Sequence, residues 1–573
     1  MHPGCLAGTP LLPRRPLIDK IHGSGCTARR CARWRAGRAV ASLVASLVAA
    51  VVAGTAGVAV AQAATPQVDV RRVVIEGATL IPAEQLLADA PTPRGPTDLA
   101  VLQRLAERVQ RRYAEAGYGG VVAYLPAQGV VDGTVRIVVV EGRVASITVR
   151  DVEGPAAVAA RAALPALEQG RTPRLRTIDR QLQLANENPA RQMQVLLSPG
   201  ERSGEIAAEL SVQQHDPWRA VLSAENTGNP GTGRWRVGAA LQHADVSGVG
   251  DVAALQLQTS PSHASGVVVA SIMYRRPLPG ILSMLEGYAA YSDIDAGTST
   301  TPVGDLSISG RGQLAGLRLT HYLPFATELD QRAGVAIDRR AYVNRCAIAG
   351  LPAGACGSAV GDVTVMPLTL EYSLRSSGAF GWAASLAWTR NFGWGGGASA
   401  GTAAFEALRP GARSHYSTWH LATSAQTALA ESWRLDARLN VQWTNDALVS
   451  GEQFGIGGAA SVRGYREREI AGDRGAAASL ELTSPELLAL VRSDAGASQL
   501  RAFGFVDGGV VSNRFDAPCR FERSHCNLAG AGVGLQFDRG GLSLRLALAH
   551  ALRDGIQTDR GDTRLHAAAQ YAF

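Results

Sequence analysis

Apolar and polar residues alternate with a period of two along most of the chain, from about residue 214 to the C-terminus. In residues 433–443, one face carries Trp, Leu, Ala, Leu, Val and Trp, and the other carries Arg, Asp, Arg, Asn and Gln. A soluble barrel buries its apolar face, whereas a second face this rich in charge needs a water-filled lumen with lipid outside. The alternation therefore predicts the strands of a transmembrane β-barrel.

About sixteen such segments fit between residues 218 and 573. This leaves about 22 residues for each strand, of which about ten span the bilayer and the others form turns and loops. The prediction is a 16-stranded antiparallel barrel over residues 214–573. The strand count places a long Gly-rich loop, about residues 444–475, between the eleventh and twelfth strands, which is the outer side of the membrane when the residues before the first strand lie in the periplasm.

Residues 68–213 follow a different pattern, in which strand-like and helix-like segments are mixed. The longest predicted helix begins at Asp98, a residue type that caps helices, and its apolar residues are spaced three and four apart. The order strand, helix, helix, strand, strand occurs once in residues 68–142 and again in residues 143–213. The predicted fold class is therefore α+β followed by all-β, with two small α+β units ahead of the barrel.

The first 63 residues are typical of a secretory signal peptide with an extended basic region. The first 40 residues are rich in arginine, and residues 39–61 are apolar. At the end of this stretch, Ala61-Gln62-Ala63 matches a small-x-small cleavage site. A single membrane-anchoring helix is the alternative, because the apolar stretch is long enough to span. No later stretch is apolar over 18 residues, so any further membrane crossing is predicted to use strands.

Composition narrows the class of protein. Apolar residues make up 46% and charged residues 18% of the 573 residues, and there are 64 glycines, which suits a β-rich envelope protein better than a soluble helical enzyme. The net charge of +7 comes largely from the first 40 residues, so nucleic-acid binding is not indicated. We find no Ser/His/Asp, metal-ligating or paired-carboxylate arrangement, and we predict neither an enzyme nor a cofactor or metal site.

Four cysteines follow the predicted signal peptide, and they fall into two close pairs: Cys346 with Cys356, and Cys519 with Cys526. Neither spacing is CxxC and no histidine cluster accompanies the pairs, so zinc is not indicated. We predict two local disulfides formed in an oxidising compartment.

The Gly-rich loop carries the most distinctive motif in the chain. Residues 455–460 match a dinucleotide-binding fingerprint, but the βαβ setting that such a site needs is missing. The following residues, Val462, Arg463, Gly464 and Tyr465, resemble the loop motif of the two-partner secretion transporters, the TpsB or hemolysin secretion/activation family. Loops this long in compact proteins tend to be functional.

The same resemblance assigns a partner to Arg463. In the family, the motif arginine folds into the lumen and pairs with the aspartate of a Phe-x-Asp-x-Gly strand motif. That motif corresponds here to Phe505, Asp507 and Gly509. The guanidinium fork suits a carboxylate because it can form two parallel hydrogen bonds.

The two α+β units resemble tandem POTRA domains, through Tyr113–Tyr118, Leu125–Gln128 and Val140–Gly142 in the first unit. The resemblance implies that the units recognise a client protein, with Tyr118, Pro126 and Gln128 as candidate contact residues. An exposed sheet edge can pair with an extended client strand. A spacer without client contact is the alternative.

The resemblance as a whole implies an outer-membrane transporter for two-partner secretion. Such a protein binds a large exoprotein in the periplasm through its POTRA domains and passes it unfolded through the barrel. Its partners would be the exoprotein, outer-membrane lipid and, during biogenesis, the barrel-assembly machinery, which reads a terminal aromatic residue such as Phe573.

Two alternatives remain from the sequence. An outer-membrane insertase of the same superfamily is less favoured, because only two POTRA-like units are predicted, and a simple porin would need neither these units nor the inward loop. One departure from the family is that only about six residues separate Ala63 from the first predicted strand. Family members often carry a plug helix at that place, so the sequence leaves the closure of the resting pore open.

Overall fold

The computed structural model describes residues 67–88, 92–301, 304–324, 329–348, 361–376, 378, 380–429, 432–488 and 498–573. The predicted signal peptide and Cys356, one of the two partners in the predicted bond with Cys346, lie outside these described residues. In the described part of the chain, no helix combines the length and the apolar character needed to cross a membrane.

The first α+β unit packs helices against one face of a small sheet. Its elements are β1 (Gln67–Val70), β2 (Arg72–Glu76), α1 (Ala83–Leu87), β3 (Gly95–Asp98), α2 (Leu99–Glu115), β4 (Val121–Tyr124) and β5 (Thr134–Glu141). The main sheet has the order β2-β5-β4, with β2 parallel to β5. Of the apolar residues that give α2 its predicted spacing, Leu102, Leu105, Val109 and Tyr113 are buried in the core, whereas Leu99 at the first position is 38% exposed.

The second unit repeats this topology. Its elements are β6 (Arg143–Arg150), α3 (Gly154–Ala162), α4 (Leu175–Ala185), β7 (Arg191–Pro199) and β8 (Glu205–Gln214). The sheet order is β6-β8-β7. As in the first unit, one outer strand, β6, is parallel to the central strand β8, and the other, β7, is antiparallel to it. A short backbone ladder joins the units, in which Gly119 N–H donates to Pro173 and Leu175 N–H donates to Gly117.

The barrel strands follow in chain order. They are β9 (Trp218–Glu225), β10 (Arg236–Ala244), β11 (Val252–Thr259), β12 (Val267–Leu278), β13 (Ser283–Thr301), β14 (Gly304–Tyr322), β15 (Leu329–Ile348), β16 (Gly361–Val365), β17 (Pro367–Ser376), β18 (Phe380–Phe392), β19 (His415–Ala428), β20 (Arg434–Thr444), β23 (Arg474–Thr483), β24 (Ser498–Ser512), β25 (His525–Arg539), β26 (Leu542–Ala551) and β27 (Thr563–Ala572). Two short strands, β21 (Phe454–Ile456) and β22 (Ile470–Gly472), and the helix α5 (Thr402–Leu408) lie in connections.

The predicted barrel of sixteen antiparallel strands is confirmed. The strands form one closed sheet, and both β16 and β17 pair with β15, so these two segments are successive parts of a single strand. The alternation also has the predicted orientation. Leu480, Val506 and Leu548 are exposed on the outer face, whereas Gln442 on the polar face of β20 is buried against the loop inside the lumen.

The first and last strands close the barrel along a short seam. β9 and β27 form only five residue pairs, from Val221 with Ala572 to Glu225 with Ala568. Beyond them, the side chain of Asn226 continues the ladder. Its amide donates to the carbonyl of Leu565 at 2.7 Å and accepts from the N–H of Ala567 at 2.9 Å. Together with the backbone N–H of Asn226, which donates to the carbonyl of Ala567 at 3.1 Å, this side chain extends the pairing past the end of β9.

Candidate functional site: the inward loop and its anchor

The connection between β20 and β23, residues 445–473, folds back into the barrel, and we call it the inward loop. Its two legs pair briefly through β21 and β22. Apolar side chains of the loop, including Ile456, Val462 and Ile470, are buried against the lumen-facing residues Val511 and Leu528 of the wall. The loop is therefore packed against the wall as a folded element.

Arg463 and Asp507 form the central contact of this site. The guanidinium of Arg463 donates to the two carboxylate oxygens of Asp507 through Nε at 2.7 Å and Nη2 at 2.8 Å. The backbone N–H of Arg463 donates to the same carboxylate at 3.1 Å. Asp507 is 1% exposed and Arg463 is 8% exposed. The contact is thus a buried bidentate pair, the strongest kind of guanidinium–carboxylate interaction.

Two further wall residues extend this pair, and sequence reasoning missed both. Glu481 of β23 accepts from Arg463 Nη1 at 2.6 Å and from Arg545 of β26 at 2.5 Å. Ser479 donates to Asp507 at 2.7 Å. The available signal was the strand register, because Ser479 lies opposite Asp507 and Glu481 lies opposite Phe505 on neighbouring strands.

Aromatic rings complete the surroundings of the guanidinium. The ring of Phe505 lies 3.4 Å from the central carbon of the Arg463 guanidinium, and the ring of Phe503 lies 3.9 Å from that of Arg545. Both rings are buried. An aromatic face attracts a cation, and the attraction is larger where water is excluded. Phe505 therefore supports Arg463 from one side while Asp507 holds it from another.

The two motif glycines, Gly464 and Gly509, lie where a larger residue would be crowded or strained. A Cβ on Gly509 would lie 3.0 Å from Val462 and 3.1 Å from Ile456, so the wall approaches the loop closely at this point. Gly464 has a φ of +100°, a conformation that side chains disfavour. Its N–H donates to His566 Nε2 at 3.0 Å, which adds β27 to the strands that hold the loop.

Tyr465 anchors the far side of the motif. Its ring is fully buried. Its hydroxyl lies 2.8 Å from the carbonyl oxygen of Ala529 and 2.7 Å from that of Arg553, and it accepts from the N–H of Arg553 at 3.1 Å. The four residues 462–465 thus contact the consecutive strands β23 to β27 at the C-terminal end of the barrel sequence.

The base of the inward loop has an anchor of its own. Glu452 is 4% exposed and accepts from Arg340 of β15 at 3.0 Å and from the hydroxyl of Tyr342 at 2.7 Å. Asp338 accepts from the same arginine at 2.7 Å. Because β15 lies across the lumen from the strands that hold the tip, the loop is tied to opposite walls.

A disulfide joins Cys519, in the connection between β24 and β25, to Cys526 near the start of β25, with the Cα atoms 6.2 Å apart. Both cysteines are buried in the same apolar cluster as Tyr465. The strand count places this connection on the same side of the barrel as the entrance of the inward loop. The bridge therefore stiffens a segment that packs directly on the loop.

The candidate client-binding residues of the first unit lie at its edges. Tyr118 is at the junction with the second unit, where its hydroxyl accepts from Arg174 at 3.0 Å. The side chain of Gln128 bonds the backbone N–H and C=O of Arg136, at 2.9 and 2.8 Å, where the strand β4 has already ended. Pro126 precedes this contact in the connection between β4 and β5 and is half-buried.

Glu141 ties the end of the first sheet to the helices. Its carboxylate accepts from the N–H groups of Thr79 and Leu80, at 2.7 and 2.8 Å, and from the hydroxyl of Tyr113 at 2.8 Å. Burial alone would raise the pKa of this carboxyl, but the hydrogen bonds donated by these groups outweigh burial and lower the pKa below its usual value.

Among the residues that the structure describes, no three or more His, Cys, Asp or Glu side chains are grouped as ligands for a metal ion.

Comparison with known proteins shows which proteins this architecture resembles. The profile of the ShlB-type POTRA domain matches residues 68–142. The outer membrane transporter CdiB of Dickeya dadantii strain 3937 is 26% identical over 66% of this chain and 65% of its own length. The outer membrane transporter CdiB of Escherichia coli O6:K15:H31 is 25% identical over 83% of this chain and 78% of its own length. The structure of CdiB from Escherichia coli has the same fold, with a TM-score of 0.75 at 20% identity over 91% of this chain and 93% of that one.

A periplasmic POTRA domain, a 16-stranded barrel and an arginine-bearing inward loop define an outer-membrane transporter of the two-partner secretion class. The profile of the haemolysin secretion/activation protein ShlB/FhaC/HecB matches residues 204–537, more than half of the chain. The chain belongs to this family.

Proposed function

We propose that this protein receives one large exoprotein in the periplasm and passes it, unfolded, through the barrel to the cell surface. The buried pair of Arg463 and Asp507 carries the proposal. A barrel that serves only as a pore needs no loop folded inward and bonded to several strands. Arg463 and Asp507 would fix the position of the inward loop, and this position would decide whether a polypeptide can pass.

The α+β units would supply recognition. We propose that the second unit is also a POTRA domain, since it repeats the sheet order of the first. The edge near Tyr118, Pro126 and Gln128 would receive an extended client segment. Because Gln128 already bonds the backbone of Arg136, an added strand would take over the hydrogen bonds that this side chain now makes.

Secretion by intact cells tests the proposal. An exoprotein encoded beside the transporter gene is expressed with wild-type transporter, Arg463→Ala or Asp507→Ala, and the heat-modifiable mobility of the barrel is measured in each strain. We expect secretion to be lost while the barrel remains folded. Arg438→Ala is the matched control, because this arginine is exposed on the polar face of β20. Normal secretion by both variants would contradict the role of the pair, and no secretion by wild type would favour the insertase alternative.

A further inference from the structure

A second connection also enters the barrel. Residues 393–414 join β18 to β19 and contain α5, and we call them the α5 loop. Phe405 of α5 is 1% exposed and packs against Val363, Val365 and Tyr416. Val363 and Val365 face the lumen, because they pair with residues of β15 whose side chains reach Glu452 of the inward loop. The helix α5 therefore lies inside the wall at the outer end of the barrel.

The α5 loop and the inward loop share one apolar cluster. Its buried members are Val363, Val365, Phe405, Ala412, Tyr416, Ala447, Leu448 and Val449. This cluster lacks every residue of the tip motif, which packs in a separate cluster with Val511 and Leu528. The outer end of the lumen thus contains two packed regions, one around the tip and one around α5.

One buried ion pair joins these elements. Arg409, directly after α5, donates through Nη2 to Asp473 at 2.7 Å. Asp473 ends the inward loop and is fully buried. The same carboxylate accepts from the N–H of Leu448 at 2.9 Å and from that of Arg514 at 2.8 Å. A single side chain thereby connects the α5 loop, both legs of the inward loop and the connection between β24 and β25.

We infer that Arg409 and Asp473 form a clasp that holds the α5 loop across the outer mouth, and that this loop must move for a polypeptide to leave. The inference rests on the proposed function, since it assumes a client that passes through the lumen. It differs from the role of Arg463, because the clasp acts on the outer end of the barrel and uses a different connection.

Ion conductance of the purified protein in planar bilayers tests the clasp without a client. Removing one partner of a buried pair leaves the other charge uncompensated, which destabilises the closed arrangement strongly. We expect Arg409→Ala to raise the open fraction by at least about tenfold. Arg413→Ala is the control, because this exposed arginine lies in the same loop. Equal conductance of Arg409→Ala and wild type would overturn the clasp.

A reversible tether tests the movement. The side chain of Leu408 approaches Gly361 of β16 so closely that a Cβ on Gly361 would lie 3.3 Å from Leu408 Cγ. This close approach makes the two positions candidates for an engineered disulfide, which requires Cβ atoms about 3.5–4.5 Å apart. We expect Gly361→Cys/Leu408→Cys to reduce secretion at least about tenfold when oxidised and to recover on reduction.

Wild type with and without reductant controls for opening of the native Cys519–Cys526 bridge, and the two single-cysteine variants control for the substitutions. Thiol labelling measures whether the tether has formed. Full secretion by protein with the tether formed would overturn the inference that the α5 loop must move. A tether that does not form would overturn the placement of α5. Failure of the proposed function is distinguishable, because wild type would then not secrete while the conductance experiment would still report on the clasp.

Discussion

The first α+β unit and the barrel bury opposite kinds of side chain. The unit buries Leu102, Leu105, Val109 and Tyr113 and leaves charge on its surface, whereas the barrel turns Leu480, Val506 and Leu548 outward and buries Arg463 and Asp507. In the unit, stability comes from apolar area removed from water. In the barrel, lipid contact and backbone pairing hold the wall, so the interior is free to hold charges whose arrangement positions a loop.

The largest effect is expected where a buried charge loses its partner. Asp507→Ala leaves Arg463, at the tip of the inward loop, with Glu481 but without its bidentate carboxylate, and breaking such a buried pair costs about 3–5 kcal/mol. We expect the tip of the inward loop to become sensitive to protease while the strands remain paired. The measurement is limited proteolysis of the purified protein, with cleavage in residues 457–469 as the readout. Protection equal to wild type would show that the apolar cluster alone holds the tip.

The same substitution should act differently in the two regions. Leu105→Ala opens a cavity in the core of the first unit and is expected to lower its free energy of unfolding by about 2–5 kcal/mol. Leu548→Ala removes a side chain that is 51% exposed on the outer face of the barrel, and we expect a loss well below that range. Urea unfolding of the full chain, followed by protease sensitivity of the unit and by heat-modifiability of the barrel, measures both. Similar losses would contradict the comparison.

The disulfide gives a smaller effect confined to one connection. The bridge closes a loop with a sequence separation of 7, and its removal is expected to cost about 2 kcal/mol. The double variant Cys519→Ser/Cys526→Ser should therefore loosen residues 513–524 without opening the barrel. Hydrogen exchange of this connection is the measurement. Slower or unchanged exchange would mean that packing on Tyr465 suffices to order it.

The smallest effect is expected at Glu141, on the surface of the first unit. Because its pKa in the folded state is lowered below the usual 4.5, its hydrogen bonds stabilise the unit above that pH. The contribution is lost as the pH falls through the folded-state pKa. Glu141→Gln should flatten the stability of the unit in this acidic window, as measured by urea unfolding at pH 7 and near pH 4. The exposed Glu107→Gln is the control and should keep the wild-type dependence.

The strands of the barrel wall were predictable because the sequence pattern that indicates them is local. Alternation every second residue reports which face meets lipid, and this requires no knowledge of distant partners. The strand count followed from the same alternation, and the side of each long loop followed from that count once the α+β units were placed in the periplasm. The helix α2 was predictable for a similar reason, since its apolar spacing depends on its own sequence.

The contacts inside the lumen were predictable only where a family motif pointed to them. Arg463 and Asp507 are 44 residues apart, and no periodicity connects them. Glu452 bonds Arg340 across 112 positions, and Arg409 bonds Asp473 across 64. Each of these pairs depends on which strands close the barrel and on how two connections fold inward. The helix α5 was not predicted, because it is short and interrupts a strand-like region.

The seam at Asn226 has a consequence for the time course of folding. Asn226 reaches the carbonyl of Leu565 across 339 positions, so the closing contact joins the two ends of the barrel sequence. Contacts between distant parts of a chain form slowly, and strands waiting for them present unpaired edges that can aggregate. Until β27 arrives, fifteen strands must be kept from pairing with other chains. Closure of this barrel therefore depends on a contact between its first and last strands.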